Sequence, residues 1–126
     1  MSGKTLVNGT IYTIGGGSGD KGAVIGSYKG NGNLSRTFAF DFELALFKIH
    51  WISSGYLESE IELINGETGL TGQRSGNTSF DRLGTVVWDG KSVTLKANSA
   101  SSAAYFNDSY NGSTYYYIAI PKSDAT

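Results

Sequence analysis

The sequence predicts an all-β protein, an antiparallel β-sandwich or jelly roll of about 8–10 short strands in a single domain. Three observations predict it. Turn pairs recur at Asn8-Gly9, Asn65-Gly66, Asp89-Gly90 and Asn111-Gly112, and Gly30-Asn31-Gly32-Asn33 adds a turn-rich stretch. Asn-Gly and Asp-Gly supply the positive φ angles that tight hairpin turns need. Between these pairs lie short runs of β-branched and aromatic residues, the types that fit a pleated surface. Glycine is abundant, 18 of 126 residues with one proline and no Gly-X-Y period, which suits many short turns and excludes a collagen-like chain.

The strands follow in order. Residues 10–14 are short and β-branched, and residues 15–22 form a glycine-rich loop before a second run at 23–28. Phe38, Phe40, Phe42, Leu44 and Leu46 then alternate with small or acidic residues, the period of a strand with one buried face. The parity changes to Phe47, Ile49 and Trp51, so a β-bulge is expected near Leu46-Phe47. A helix over residues 42–51 is the competing reading. In residues 56–64, Leu57, Ile61 and Leu63 oppose Glu58, Glu60 and Glu62, and Lys48 is a candidate cross-strand partner for that acidic row. Residues 67–79 read as a long polar loop whose only large apolar residue before Phe80 is Leu70. Residues 83–88 and 92–97 form a hairpin about Asp89-Gly90. Residues 98–104 read as a loop, Tyr105-Phe106 as the start of a strand, and residues 114–120 as a strong strand ended by Pro121. Here Tyr116, Ile118 and Ile120 are expected on the core face and Tyr115 and Tyr117 on the other.

Composition removes several function classes. A chain of 126 residues makes one domain, residues 1–126, with short flexible termini at 1–4 and 122–126. The absence of cysteine excludes disulfides and thiolate chemistry, and a lone histidine excludes a multi-histidine metal centre within one chain. Net charge is -1 with 17% charged residues, which argues against nucleic-acid binding. No apolar run reaches the ~18 residues of a membrane span, and no apolar signal core follows Met1. The expectation is a protein made in a cytoplasm without membrane insertion. Asn-x-Ser/Thr triplets at Asn8, Asn33, Asn77, Asn107 and Asn111 are therefore not read as glycan sites.

Motifs of catalysis are weak. Gly17 to Gly22 spell G-x-G-x-x-G, but a β-like run follows where a dinucleotide fold needs a helix. Asn107 to Gly112 open like a calcium loop, yet Ile118 stands where the bidentate glutamate belongs, so a hairpin turn is the preferred reading. Asp41 and Glu43 share a strand face, as do the three glutamates, but outward acids are ordinary on sandwiches, and a glycosidase pair is disfavoured. His50 lies opposite Ile49 and Trp51 and reads as a surface or interface histidine. No cofactor is expected, and neither a metal site nor catalytic residues. The remaining signal is aromatic. Tyr105, Tyr110, Tyr115, Tyr117, Trp51 and Trp88 are the interface or ligand-stacking candidates, with structural packing as the bland alternative.

Val93-Thr94-Leu95, a polar loop, Tyr105-Phe106-Asn107, Asn111-Gly112 and the closing Thr114 to Ile120 run resemble the ending of small β-domains in tailed-bacteriophage virion proteins. The resemblance covers roughly the last third of the chain. It implies a non-enzymatic virion structural protein on the tail, fibre or baseplate, mediating assembly or host contact. A capsid cement (decoration) protein and a carbohydrate-binding, lectin-like module are the alternatives. The partners implied are other virion proteins, further copies of the chain with a trimer favoured, and a host surface glycan.

Overall fold

The computed structural model describes residues 3–7, 10–14, 22–108 and 113–122. The main body is one curled antiparallel sheet of eight strands, a half-barrel, with a short helix across its concave face. Its strands are β3 (Val24–Lys29), β4 (Ser35–Ala39), β5 (Leu44–Ser53), β6 (Tyr56–Ile64), β7 (Gly69–Arg74), β8 (Asp81–Asp89), β9 (Ser92–Ala97) and β10 (Thr114–Pro121). Their spatial order is β3-β10-β5-β6-β7-β8-β9-β4. A separate two-stranded ladder pairs β1 (Gly3–Val7) with β2 (Thr10–Ile14), and β1 approaches β3. Helix α1 spans Ala100–Asn107. Among the described residues no helix is long and apolar enough to cross a membrane.

The all-β expectation holds, in the form of a single sheet that bends back on itself. The bend lies at β7. Gln73 and Arg74 pair with β6, whereas Gly69 to Gly72 pair with β8. One strand thus serves two directions, and the two four-stranded halves come to enclose a common core. Phe38 of β4 and Phe47 of β5, far apart in strand order, meet with ring centroids 4.9 Å apart. The two edge strands also meet. Tyr28 of β3 lies 5.1 Å from Phe38, and the Arg36 guanidinium of β4 donates to the Lys29 carbonyl at 2.9 Å.

Local sequence explains most elements. Ser53 pairs with Tyr56 around Ser54 and Gly55, whose φ angles are +52° and +83°, the two left-handed residues of a type I′ turn. Asp89 and Ser92 flank Gly90 in the expected β8–β9 hairpin. The Phe38 to Trp51 run is not a helix, nor is it one strand. It breaks at residues 40–43, so Asp41 and Glu43 are exposed on a connection rather than sharing a strand face. The parity change is real: Leu46 pairs with Ile120 but Leu44 with Pro121, which leaves Ala45 as the extra residue of a bulge. A second bulge gives β6 an extra Glu58 between Leu57 and Ser59.

Three segments differ from expectation. Within the supposed loop, residues 69–74 are β7, and Leu70 is buried. Gly72 leaves the space that the Tyr105 ring fills, since a Cβ there would meet that ring at 2.7 Å. From Ala100 on, the supposed loop and strand start at 98–106 belong to helix α1. The Ser99 hydroxyl caps its first turn by accepting from the Ser102 N–H at 3.2 Å. Ala103, Tyr105, Phe106 and Asn107 are then buried in the core that the two halves of the sheet enclose. Finally, β10 faces the other way round: Tyr115 and Ala119 are fully buried, Tyr117 packs on the core, and Tyr116 is 40% exposed.

Candidate functional site

The register across the sheet defines what each face carries. On the concave face, Tyr28, Tyr115, Trp51, Ser59 and Arg74 occupy one row, and Gly26, Tyr117, Ile49 and Ile61 the next. The aromatic candidates are therefore mostly packing groups. Tyr115 stacks on Tyr28 at 5.2 Å and lies 6.1 Å from Trp51. Tyr117 covers Gly26 and touches Phe38, Phe40 and Phe47. Tyr105 is buried and its hydroxyl donates to Asp81. Trp88 is half-buried, its indole N–H donating to the Glu67 carbonyl at 2.7 Å. Tyr110 lies outside the described residues, as do Gly17 to Lys21 of the glycine motif, the turn pairs Asn8-Gly9 and Asn111-Gly112, and residues 1–2 and 123–126 of the termini.

The hydroxyls inside have a purpose. Tyr28 donates to the Phe106 carbonyl at 2.7 Å. Tyr115 donates to the Ala104 carbonyl and accepts from the Asp108 N–H, both at 2.7 Å. Carbonyls in the last turn of α1 lack intrahelical partners, so tyrosines satisfy what the helix end leaves open. Burial raises the phenol pKa of both, Tyr115 to about 12. Asn107, expected in a hairpin turn or a calcium loop, instead closes α1. Its carboxamide oxygen already accepts from the Asn31 N–H and the Arg36 guanidinium, and its nitrogen donates to Asn31 and Asn33.

One end of the concave face is less complete. The Arg74 guanidinium sits 5.6 Å from the Trp51 ring and 5.5 Å from the Tyr105 ring. The Ser59 hydroxyl and the Trp51 indole N–H, both shielded from solvent, have no hydrogen-bond partner among the described residues. Sequence reading singled out Trp51 and Tyr105 here but neither Ser59 nor Arg74, because only the register brings them into one row.

The outer face of β10, β5 and β6 is the more extensive feature. Ile120, Leu46 and Ile64 form one row across three strands. Ile25, Ile118, Lys48 and Glu62 form the next, and Ser27, Tyr116, His50, Glu60 and Gln73 the one after. Ile64 is 56% exposed. Lys48 meets Glu62 at 3.4 Å, the cross-strand pair the alternation implied. His50 Nε2 lies 3.4 Å from Glu60 Oε2, at ion-pair distance but outside hydrogen-bond geometry. Burial lowers the His50 pKa, Glu60 works against that shift, and Lys48 adds to it.

No family model, curated protein or solved structure matches the chain. The site is thus read from its own chemistry. A sheet with one wet face alternates apolar and polar residues. Here β10 turns Tyr116, Ile118 and Ile120 outward and β5 turns Leu46 outward beside Lys48 and His50, so the outer face mixes aliphatic and charged rows. That signal was present in the sequence at Ile118, Ile120 and Leu46, but the parity of β10 had to be known before it could be placed outside.

Proposed function

We propose that the chain is a non-enzymatic structural subunit of a tailed-phage virion, mediating assembly or host contact on the tail, fibre or baseplate, and that it docks through the outer face of β10, β5 and β6. The observation that carries this reading is the Ile120–Leu46–Ile64 row, three aliphatic residues side by side on a face that a free-standing half-barrel would keep polar. The resemblance of the last third of the chain to virion β-domains supports it, as does a core whose aromatic rings and helix ties make a firm platform. Capsid decoration uses the same face and differs in location. Immunogold electron microscopy of particles from the source lysate, with antibody to this chain, tests both. Label on tail or head chooses between them, and unlabelled particles refute the virion reading.

A glycan-binding module is the second reading. It draws on the Trp51, Arg74 and Tyr105 group, where a guanidinium stands beside two aromatic rings, the pairing of chemistries that holds sugars. A glycan array tests it, with Arg74→Ala expected to abolish any signal.

A further inference from the structure

We propose that the occupant of this face is a second copy of the chain, packed about a two-fold axis that runs parallel to the strands between β5 and β6. This rests on the reading that the outer face is used for assembly, and it names the partner. Such an axis sets β5 of one copy over β6 of the other at the same height. Each β5 residue then faces, in the other copy, the residue with which it is registered in its own. The outward pairs in that register are Leu46 with Ile64, Lys48 with Glu62 and His50 with Glu60. Across the axis the first two become aliphatic on aliphatic and ammonium on carboxylate, while His50 Nε2 is shielded from solvent within its own chain and takes no part. Both are complementary, and an isologous interface demands that self-complementarity. Face-to-face sheets pack within about 30° of alignment, so these two consecutive outward rows close to the axis stay opposed. Ile120, beside Leu46, extends the aliphatic contact in each copy. Lys48 and Glu62 are 30% and 54% exposed and so available to a partner.

The test uses charge reversal in the full chain. Sedimentation equilibrium of the wild type is expected to show a dimer. Lys48→Glu alone sets carboxylate against carboxylate across the axis, and Glu62→Lys alone sets ammonium against ammonium. Each is expected to weaken self-association at least about tenfold, because like charges opposed in an interface cost several kcal/mol. Mixing the two variants is the decisive arm. Within each chain the cross-strand pair stays repulsive. Between chains, however, each introduced charge meets its opposite, and the Lys48 left in one variant meets the Glu62 left in the other. The mixture is therefore expected to regain dimer as heterodimer. Circular dichroism of each variant establishes that it folds, which an exposed pair of this kind permits. A monomeric or trimeric wild type overturns the proposal. So does a dimer indifferent to the single reversals, or a mixture that fails to recover. Particle labelling is independent of all these outcomes: a labelled particle together with a monomeric chain removes the two-fold pairing and leaves the virion reading standing.

Discussion

Asn107 accepts a hydrogen bond from the Arg36 guanidinium at 2.8 Å, and that bond ties the end of α1 to the edge strand β4. Arg36 in turn lies 4.3 Å above the Tyr28 ring of β3 and donates to the Lys29 carbonyl. One buried carboxamide and one guanidinium therefore hold three elements where the two edges of the sheet meet.

Asn107→Ala is expected to destabilise the fold by about 3 kcal/mol, since it leaves the partners of a fully buried amide unsatisfied. Urea denaturation measures it. A loss below about 0.5 kcal/mol would show that the seam does not depend on this residue.

Tyr115→Phe keeps the stacked ring and removes the hydroxyl that serves Ala104 and Asp108. A cost of about 1–2 kcal/mol is expected. The alkaline limb should change as well. The folded phenol titrates near 12 against an ordinary 10.0, so the folded state holds its proton more tightly than the unfolded chain. Stability from this group is complete below pH 10 and declines as pH rises towards 12. Unfolding midpoints followed between these limits should fall less steeply in the variant.

His50 works in the opposite range. Its pKa lies below the ordinary 6.5, so below pH 6.5 the unfolded chain binds the proton that the folded chain resists, and stability decreases as pH falls. The groups that face it are Glu60 on β6, Tyr116 on β10 and Lys48 on its own strand. His50→Gln should flatten the acid limb between pH 6.5 and the onset of carboxylate protonation. An unchanged limb would show that burial of this imidazole does not couple to folding.

Gly26→Ala tests the aromatic cover. An added Cβ would stand 2.5 Å from the Tyr117 hydroxyl and 2.6 Å from its ring, so the ring must move. A loss of about 1–3 kcal/mol is expected, with altered near-ultraviolet circular dichroism from the displaced tyrosine. Equal stability and an unchanged spectrum would place the ring elsewhere.

These residues also show how far the sequence could be read. Alternation and Asn-Gly or Asp-Gly pairs located β5, β6, β8, β9 and β10 because each signal is local. The bulge near Leu46 was legible for the same reason, as parity cannot change in a regular strand. β7 was missed because its one large apolar residue, Leu70, gives no period, and Gly72 is small to admit a ring from another element. Helix α1 was hidden in a serine-alanine run whose burial depends on the facing sheet. Parity divides the residues of β10 into two sets but does not say which is inside. Tyr115 and Tyr117 point inward because their neighbours there include helix carbonyls and a glycine, facts of tertiary structure. The outer candidate face was illegible until that was known.

The ladder partners of β3 and β4 in the large sheet are β10 and β9. Strands adjacent along the chain thus wait for partners made 53 to 95 positions later, and β10 also fills the gap between β3 and β5. Non-local pairing of this kind is slow to form. During synthesis β4 remains without its neighbour until β9 is made and β3 until β10 has left the ribosome, and a chain cut before Thr114 loses more than its own end: β3 loses its ladder partner in the large sheet and β5 is left with a bare edge.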